Sequence, residues 1–364
     1  MRLFDSLSRE VRDLEIRPHM SVYVCGITPY DSAHLGHAFT YVHFDVLVRY
    51  LRYLGAEVVH VQNVTDLDDD ILRVSRERGV PWKDLARTEV VRFEEQMRAI
   101  GVRPPTHSPW ASHFVDGIEE DVVGLLAAGV AYERGRTVYF RWRAFPSYGR
   151  LSGLTPEEML PLAEERGGHP EDPNKEDPLD FVLWQPSAAD EPEWPSPLGS
   201  GRPGWHIECS AIVRRLAGQP VDIHGGGKDL MYPHHESEIA LAESLPGEKP
   251  FARHWMHTGE VAQGGEKMSK SVGNMTFVDD LVERHGADAI RRFLLRRRYR
   301  ADWEFHEDHI GRPAHATAGS SPEEFFEALD DDLDTPRALG VLEAAEPEGA
   351  DWVEDGRAIL GMHW

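Results

Sequence analysis

Lysine is scarce in this chain, with only six among 39 basic residues in a total of 364. Cysteine is scarcer, with Cys25 and Cys209 alone. A disulfide-stapled scaffold is therefore excluded, and two distant thiols point to buried cysteines, a metal or catalysis. No apolar run approaches the roughly 18 residues that a bilayer span needs. The opening MRLFDSLSREVRDLEIRPH is charged and has no apolar stretch of the secretory type. These absences predict a cytoplasmic protein without membrane association. No internal repeat is present.

Acid is abundant. With 63 acidic residues the net charge is −24, which repels phosphate backbones unless a local basic patch offsets it. Nucleic acid is thus not an expected partner, although Arg291 to Arg300 forms one arginine-rich run. The hydrophobic share of 41% is ordinary for a globular chain and excludes a mainly disordered one. We expect a monomer acting on small molecules.

The apolar run from Ser21 to Ile27 predicts a buried strand. Phe44, Leu47, Leu51 and Leu54 recur at helical spacing and predict a helix from Phe39 to Leu54, with Gly55 as its C-terminal cap. The valine-rich stretch from Glu57 to Val64 predicts a second strand. Strand, glycine-bearing loop, helix and strand make a βαβ unit of a parallel, doubly wound sheet. Trp82 to Ile100 predicts another helix. From Arg103 the pattern changes. A helix is expected from Asp116 to Ala128, a hairpin from Val130 to Trp142, and a proline- and acid-rich loop from Gly167 to Pro203. The α/β pattern resumes at Gly204 with a helix from Cys209, a strand at Val221 to His224 and three glycines. A helix from His235 and a strand around His254 to Val261 follow. Helices at Asp279 to His285 and Ala287 to Arg298 come next. The expected organisation is one Rossmann-type α/β domain in two halves, 1–102 and 204–275. An α+β subdomain is inserted at 103–203, and a helical region covers 276–364.

His34–Leu35–Gly36–His37 falls in the first strand-to-helix turn, where backbone N–H groups and the helix dipole favour phosphate. Two imidazoles there can donate to phosphate oxygens. Alone, four residues are as well read as exposed loop histidines. Lys267–Met268–Ser269–Lys270–Ser271 follows a Gly264–Gly265 turn late in the second half. Two lysines on such a loop can offset charge building on a triphosphate as pyrophosphate leaves. HLGH and KMSKS in this order resemble the catalytic domain of class I aminoacyl-tRNA synthetases.

Cys25 ends the first strand, and Cys209 and His234 come from the second half. Two thiolates and an imidazole form a zinc-type set, and three protein ligands leave a place for substrate. Their spacing alone does not separate this from inert core thiols. GWHIECSAI (Gly204 to Ile212) and DIHGGGKDLMYPHHESEIALAE (Asp222 to Glu243) resemble the cysteine-activating branch of the class. That resemblance implies one zinc per chain, holding the substrate thiol, with ATP as co-substrate together with Mg2+. Cysteinyl-tRNA synthetases carry a glutamate as fourth ligand, and Glu238 matches it. Whether Glu238 or the substrate thiol takes the fourth position stays open.

Two families share this chemistry. CGITPYDSAHLGHAFTY (Cys25 to Tyr41), ERGGHP (Glu165 to Pro170) and YRADW (Tyr299 to Trp303) resemble the mycothiol-pathway ligase, which joins cysteine to the amine of glucosaminyl-inositol. About 30 residues after Pro336 are too few for a separate anticodon-binding domain. RYLRYLG (Arg49 to Gly55) and HIECSAI lean toward the synthetases. The ligase is the expected function. A shortened cysteinyl-tRNA synthetase and a non-catalytic cysteine-sensing paralogue are the alternatives. Matched motifs imply His34, His37, Lys267 and Lys270 as catalytic residues. They imply adenylate contacts from Cys25, Gly26, Ile27, Thr28 and Thr40, and from Asn63, Val64 and Thr65. Trp205, Gly227, Lys228, Asp229 and Val261 complete the set, with Lys228 standing where serine is common.

Overall fold

The computed structural model describes residues 1–268, 273–312 and 319–362. It opens with an antiparallel hairpin, β1 (Arg2–Asp5) and β2 (Glu10–Asp13), and continues with β3 (His19–Ile27), α1 (Leu35–Tyr53) and β4 (Glu57–Val64). Helices α2 (Asp69–Arg78), α3 (Trp82–Ala99) and α4 (Val115–Ala127) lead to strands β5 (Ala131–Arg134) and β6 (Thr137–Phe140). Next come α5 (Pro156–Glu165), β7 (Phe181–Gln185), β8 (Arg202–Pro203) and α6 (Trp205–Ile212). Then β9 (Val221–Gly227), α7 (Glu236–Ser244), β10 (Ala252–Thr258), β11 (Val261–Gln263) and β12 (Glu266–Lys267) complete the α/β part. The rest is α8 (Val278–His285), α9 (Ala287–Leu295), β13 (Trp303–Glu304), α10 (Pro322–Asp330), α11 (Thr335–Ala345) and α12 (Val353–Leu360). No helix among the described residues is long and apolar enough to cross a membrane.

The central sheet runs β10-β9-β3-β4, with every neighbouring pair parallel. Its strands come from both sides of residues 103–203, and β3 meets β9 at Val22↔Ile223. The expected α/β sheet is therefore present. Helix α1 is buried along nearly its whole length, from Leu35 to Leu51, because α9 and α12 cover what the sheet does not. That explains its apolar content on all sides.

The sequence reading needs four corrections. The stretch from Gly167 to Pro203 is not all loop. Phe181, Leu183 and Trp184 bury their side chains in β7, which joins β5, β6 and β8 in an antiparallel sheet. Helix α6 begins at Trp205, four residues before Cys209. The three glycines stay within β9 because the strands approach closely there. A Cβ on Gly225 would lie 1.9 Å from the Met256 carbonyl oxygen. Helix α9 ends at Leu295, before Arg298.

Candidate active site at the carboxyl edge of the sheet

A cleft of about 970 Å³ opens where the parallel strands end, the usual binding edge of such sheets. The ladder between β3 and β4 shifts register between Val24 and Ile27, which frees Cys25 and Gly26 from regular pairing. Tyr41 of α1 donates its hydroxyl to the Cys25 carbonyl at 3.1 Å. Gly26 donates its N–H to Asn63 Oδ1 at 2.8 Å, and any Cβ there would run into the Asn63 carbonyl oxygen. Glycine is thus required by β4 as its neighbour.

His34 is the N-cap of α1, and its Nδ1 accepts from the Gly36 N–H at 3.1 Å. The His34 and His37 rings stack with centroids 3.8 Å apart, and both line the cleft at the helix N-terminus. Lys267 reaches the cleft from β12, with its ammonium 3.4 Å from Asp229 and 3.2 Å from Glu260. Lys270 lies outside the described residues.

Cys25, Gly26, Ile27, Thr28, Thr40 and Thr65 line the cleft, as do Trp205, Gly227, Asp229 and Val261. Thr40 is mostly buried and shares a 2.7 Å hydrogen bond with Thr258. Asn63 and Val64 stand behind this wall, facing a small cavity between β4 and α3. Asn63 there fixes Gly26 and donates to Thr65 Oγ1 at 3.0 Å, so it acts on the cleft through its neighbours. Lys228 is not brought to the cleft; its ammonium pairs with Asp302 at 2.6 Å.

At the floor, donor atoms of Cys25, Cys209, His234 and Glu238 all lie within 4.8 Å of one another, and all four residues are buried. Trp205 stacks on His234 with centroids 4.5 Å apart, and His206 Nδ1 is 3.1 Å from His234 Nδ1. A second set, Cys25, His224, His235 and Glu238, shares an edge with the first. His235 Nε2 is 3.2 Å from Cys25 Sγ, and His224 Nε2 is 3.3 Å from Glu238 Oε1. Behind it His235 contacts His257 at 2.7 Å, and His257 contacts Ser6 Oγ of the N-terminal hairpin at 2.8 Å.

Burial and the hydrogen bond to Cys209 push the Cys25 thiol well up. The same bond, against the cost of burial and with His234 nearby, brings Cys209 down to about 6. Burial drives Glu238 well above the usual carboxylate range. It keeps His234, His235 and His224 neutral, with His224 brought down to about 3. Neutral imidazoles and one thiolate stand ready for a dication, whose charge would displace the protons of Cys25 and Glu238. Two sulfurs, a nitrogen and an oxygen at this separation fit zinc.

His224 and His235 were missed in the sequence because each sits beside a stronger signal, the glycine run and His234. The doubled His234–His235 before Glu236 was the available cue. Glu165, Arg166, Gly167, Gly168 and His169 also line the cleft, and Arg166 donates to the Asp229 carbonyl at 2.7 Å.

Residues 13–315 match the family described as tRNA synthetases class I (C) catalytic domain. An L-cysteine:1D-myo-inositol 2-amino-2-deoxy-alpha-D-glucopyranoside ligase from Thermobispora bispora is 43% identical, covering 96% of this chain and 91% of that protein. A Cysteine--tRNA ligase from Halorhodospira halophila is 45% identical, over 88% of this chain and 72% of that protein. Among solved structures, Mycobacterium tuberculosis methionyl-tRNA synthetase with methionyl-adenylate aligns at a TM-score of 0.64 and 18% identity. That alignment covers 95% of this chain and 88% of that one, a likeness of fold. The strand order, the cleft and the sequence relatives agree: this chain belongs to the class I synthetase catalytic-domain family of the cysteine type.

Proposed function

We propose that the protein is an ATP-dependent ligase that joins L-cysteine to the amine of glucosaminyl-inositol through cysteinyl-adenylate; the names of its ligase relatives state the two joined substrates for those proteins. One observation carries the choice of acceptor. The ERGGHP segment, ligase-like in sequence, lines the same cleft as HLGH and the cysteine–histidine floor.

In the first step the cysteine carboxylate attacks the α-phosphorus of ATP, and pyrophosphate leaves. His34 and His37 hold phosphate oxygens at the N-terminus of α1, while Lys267 and Lys270 offset charge on the leaving group. Cys25, Cys209 and His234, with Glu238 beside them, would hold a zinc ion, which when bound would supply a soft partner for the substrate thiol and so discriminate against serine. With the thiol fixed, the carboxylate is held at its reacting distance. Gly26, Ile27, Thr28, Thr40, Thr65, Trp205, Gly227, Asp229 and Val261 surround the adenylate. Asn63 and Val64 support that wall from behind, and Lys228 stands at its outer margin. In the second step the acceptor amine attacks the acyl carbon, and AMP leaves.

The 45% identity to a Cysteine--tRNA ligase favours a second reading, transfer to tRNA. Purified protein with ATP and cysteine, given either glucosaminyl-inositol or tRNA, separates the two. The first reading expects AMP release to rise with glucosaminyl-inositol only. Efficient charging of a cysteine tRNA would overturn it while leaving the adenylate site in place.

A further inference from the structure

An alkyl ammonium is protonated at neutral pH and cannot attack an acyl carbon, so the second step needs a group to take its proton. This requirement rests on the ligase reading above. We propose that Asp68 is the general base for the acceptor amine.

Asp68 lines the cleft immediately before α2. Its Oδ1 is held by the Asp70 N–H at 2.7 Å as the N-cap of that helix, which fixes the direction of the carboxylate. Its Oδ2 has no hydrogen-bond partner among the described residues. The other acids of the wall are engaged. Asp69 is paired with Arg202, Asp70 with Arg73, and Asp229 with Lys267. Asp180 accepts from the Tyr132 hydroxyl and the Trp142 N–H. Asp68 thus differs from them in having, among the described residues, neither a cation paired with it nor a hydrogen bond to its second oxygen.

Its surroundings suit the task. Burial, and behind it the charges of Asp70 and Asp69, raise its carboxyl to about 7, although the Asp70 N–H and Arg202 pull the other way. After burial, its charge acts on Glu208 of α6 and on Tyr30 of the loop before α1, raising both. A base whose affinity for a proton lies near neutrality is the most effective kind at neutral pH.

The step balances. One ammonium proton passes to Asp68 Oδ2. The freed nitrogen pair forms the C–N bond, and the acyl C–O bond breaks with its electrons leaving on AMP. The second nitrogen proton is lost to solvent through the open cleft as the tetrahedral centre collapses.

Asp68→Asn is the decisive variant, because asparagine caps a helix as well as aspartate does but takes no proton. ATP–pyrophosphate exchange reads the first step. AMP release with glucosaminyl-inositol reads the second, and AMP release with hydroxylamine, a nucleophile already neutral at pH 7, reads transfer without a base. We expect exchange and hydroxylamine-driven release to stay within about twofold of the wild type. Release with glucosaminyl-inositol should fall about 10²–10⁴-fold, and the break near pH 7 expected of the wild-type profile should be absent from the variant, whose rate then follows only the fraction of acceptor present as free amine. An equal fall with hydroxylamine would make Asp68 structural and overturn the proposal. So would a wild-type pH profile in the variant. If the wild-type protein itself ignores glucosaminyl-inositol, the ligase reading fails first and takes the base with it.

Discussion

Strand β3 has two faces, and they are built on opposite terms. Met20, Val22 and Val24 point into an apolar core shared with α1, α9 and α11. Tyr23 and Cys25, alternating with them, point into a smaller cluster that holds Cys209, Trp255 and Phe251, with His224 and His235 against it. The first face is complete by itself, because burial of hydrocarbon asks for no partner. The second carries buried polar groups, and burial keeps the protons on the Glu238 carboxyl and the Cys25 thiol. One strand therefore carries shape on one side and unfinished chemistry on the other.

The largest test strikes the unfinished face. Cys209→Ala removes the sulfur that carries negative charge most readily at neutral pH. Metal analysis should find zinc lost from the variant, and pyrophosphate exchange should fall at least about 10³-fold, since the proposed site keeps only one of its two sulfurs. Full zinc content in this variant would remove Cys209 from the ligand set. On the finished face Leu47→Ala should do the reverse. Leu47 is 0% exposed in α1, so its loss should cost about 2–5 kcal/mol in urea unfolding. Exchange per folded molecule should stay within about twofold. A large loss of exchange there would mean that the two faces are not separable.

Among the titratable groups buried beside the apolar face is His43, whose ring contacts the carbonyls of Phe39 at 2.8 Å and Arg297 at 3.2 Å. Burial outweighs those contacts and brings its pKa down to about 4. A histidine depressed in the folded state binds more protons when unfolded, so stability falls as pH drops below about 6.5 toward 4. Between pH 7 and pH 5 the expected loss from this one residue is about 2 kcal/mol. Urea midpoints of His43→Gln should be flatter by that amount over the same range. An unchanged slope would show that other histidines, such as His60, carry the effect.

The difference between the faces also explains what could be read in advance. The βαβ unit was legible because Val22, Val24, Phe44, Leu47 and Leu51 repeat with the periods of strand and helix. HLGH and KMSKS were legible because their residue types are unusual together. Strand β7 was hidden by the prolines and acids around it, although Phe181 to Trp184 is apolar. The second histidine pair was hidden for a deeper reason. Nothing in the spacing of His224 and His235 says that they meet Cys25, a residue about 200 positions earlier; only the β3–β9 pairing brings them there. The role of Asn63 was half visible, since the motif implied a contact but not that it works through Gly26.

The smallest expected effect lies on neither face but at the rim, and it tests how far a motif can be trusted residue by residue. Lys228 occupies a position that motif matching places in the adenylate set, yet its ammonium is 2.6 Å from Asp302 and both side chains are about half exposed. An exposed pair of this kind contributes about 0–1 kcal/mol, because water screens it and two side chains lose freedom to form it. Asp302 is held independently, accepting the Glu260 N–H at 2.9 Å, so it does not depend on the lysine for its position. Lys228→Ser should therefore move the unfolding midpoint far less than Leu47→Ala does and leave KM for ATP within about twofold. Added salt should have little effect on the variant's difference from wild type, because the pair is already screened. A tenfold rise in KM for ATP, with kcat unchanged, would instead mean that the lysine leaves Asp302 for the nucleotide once ATP is bound. The polar face would then extend to the rim of the cleft.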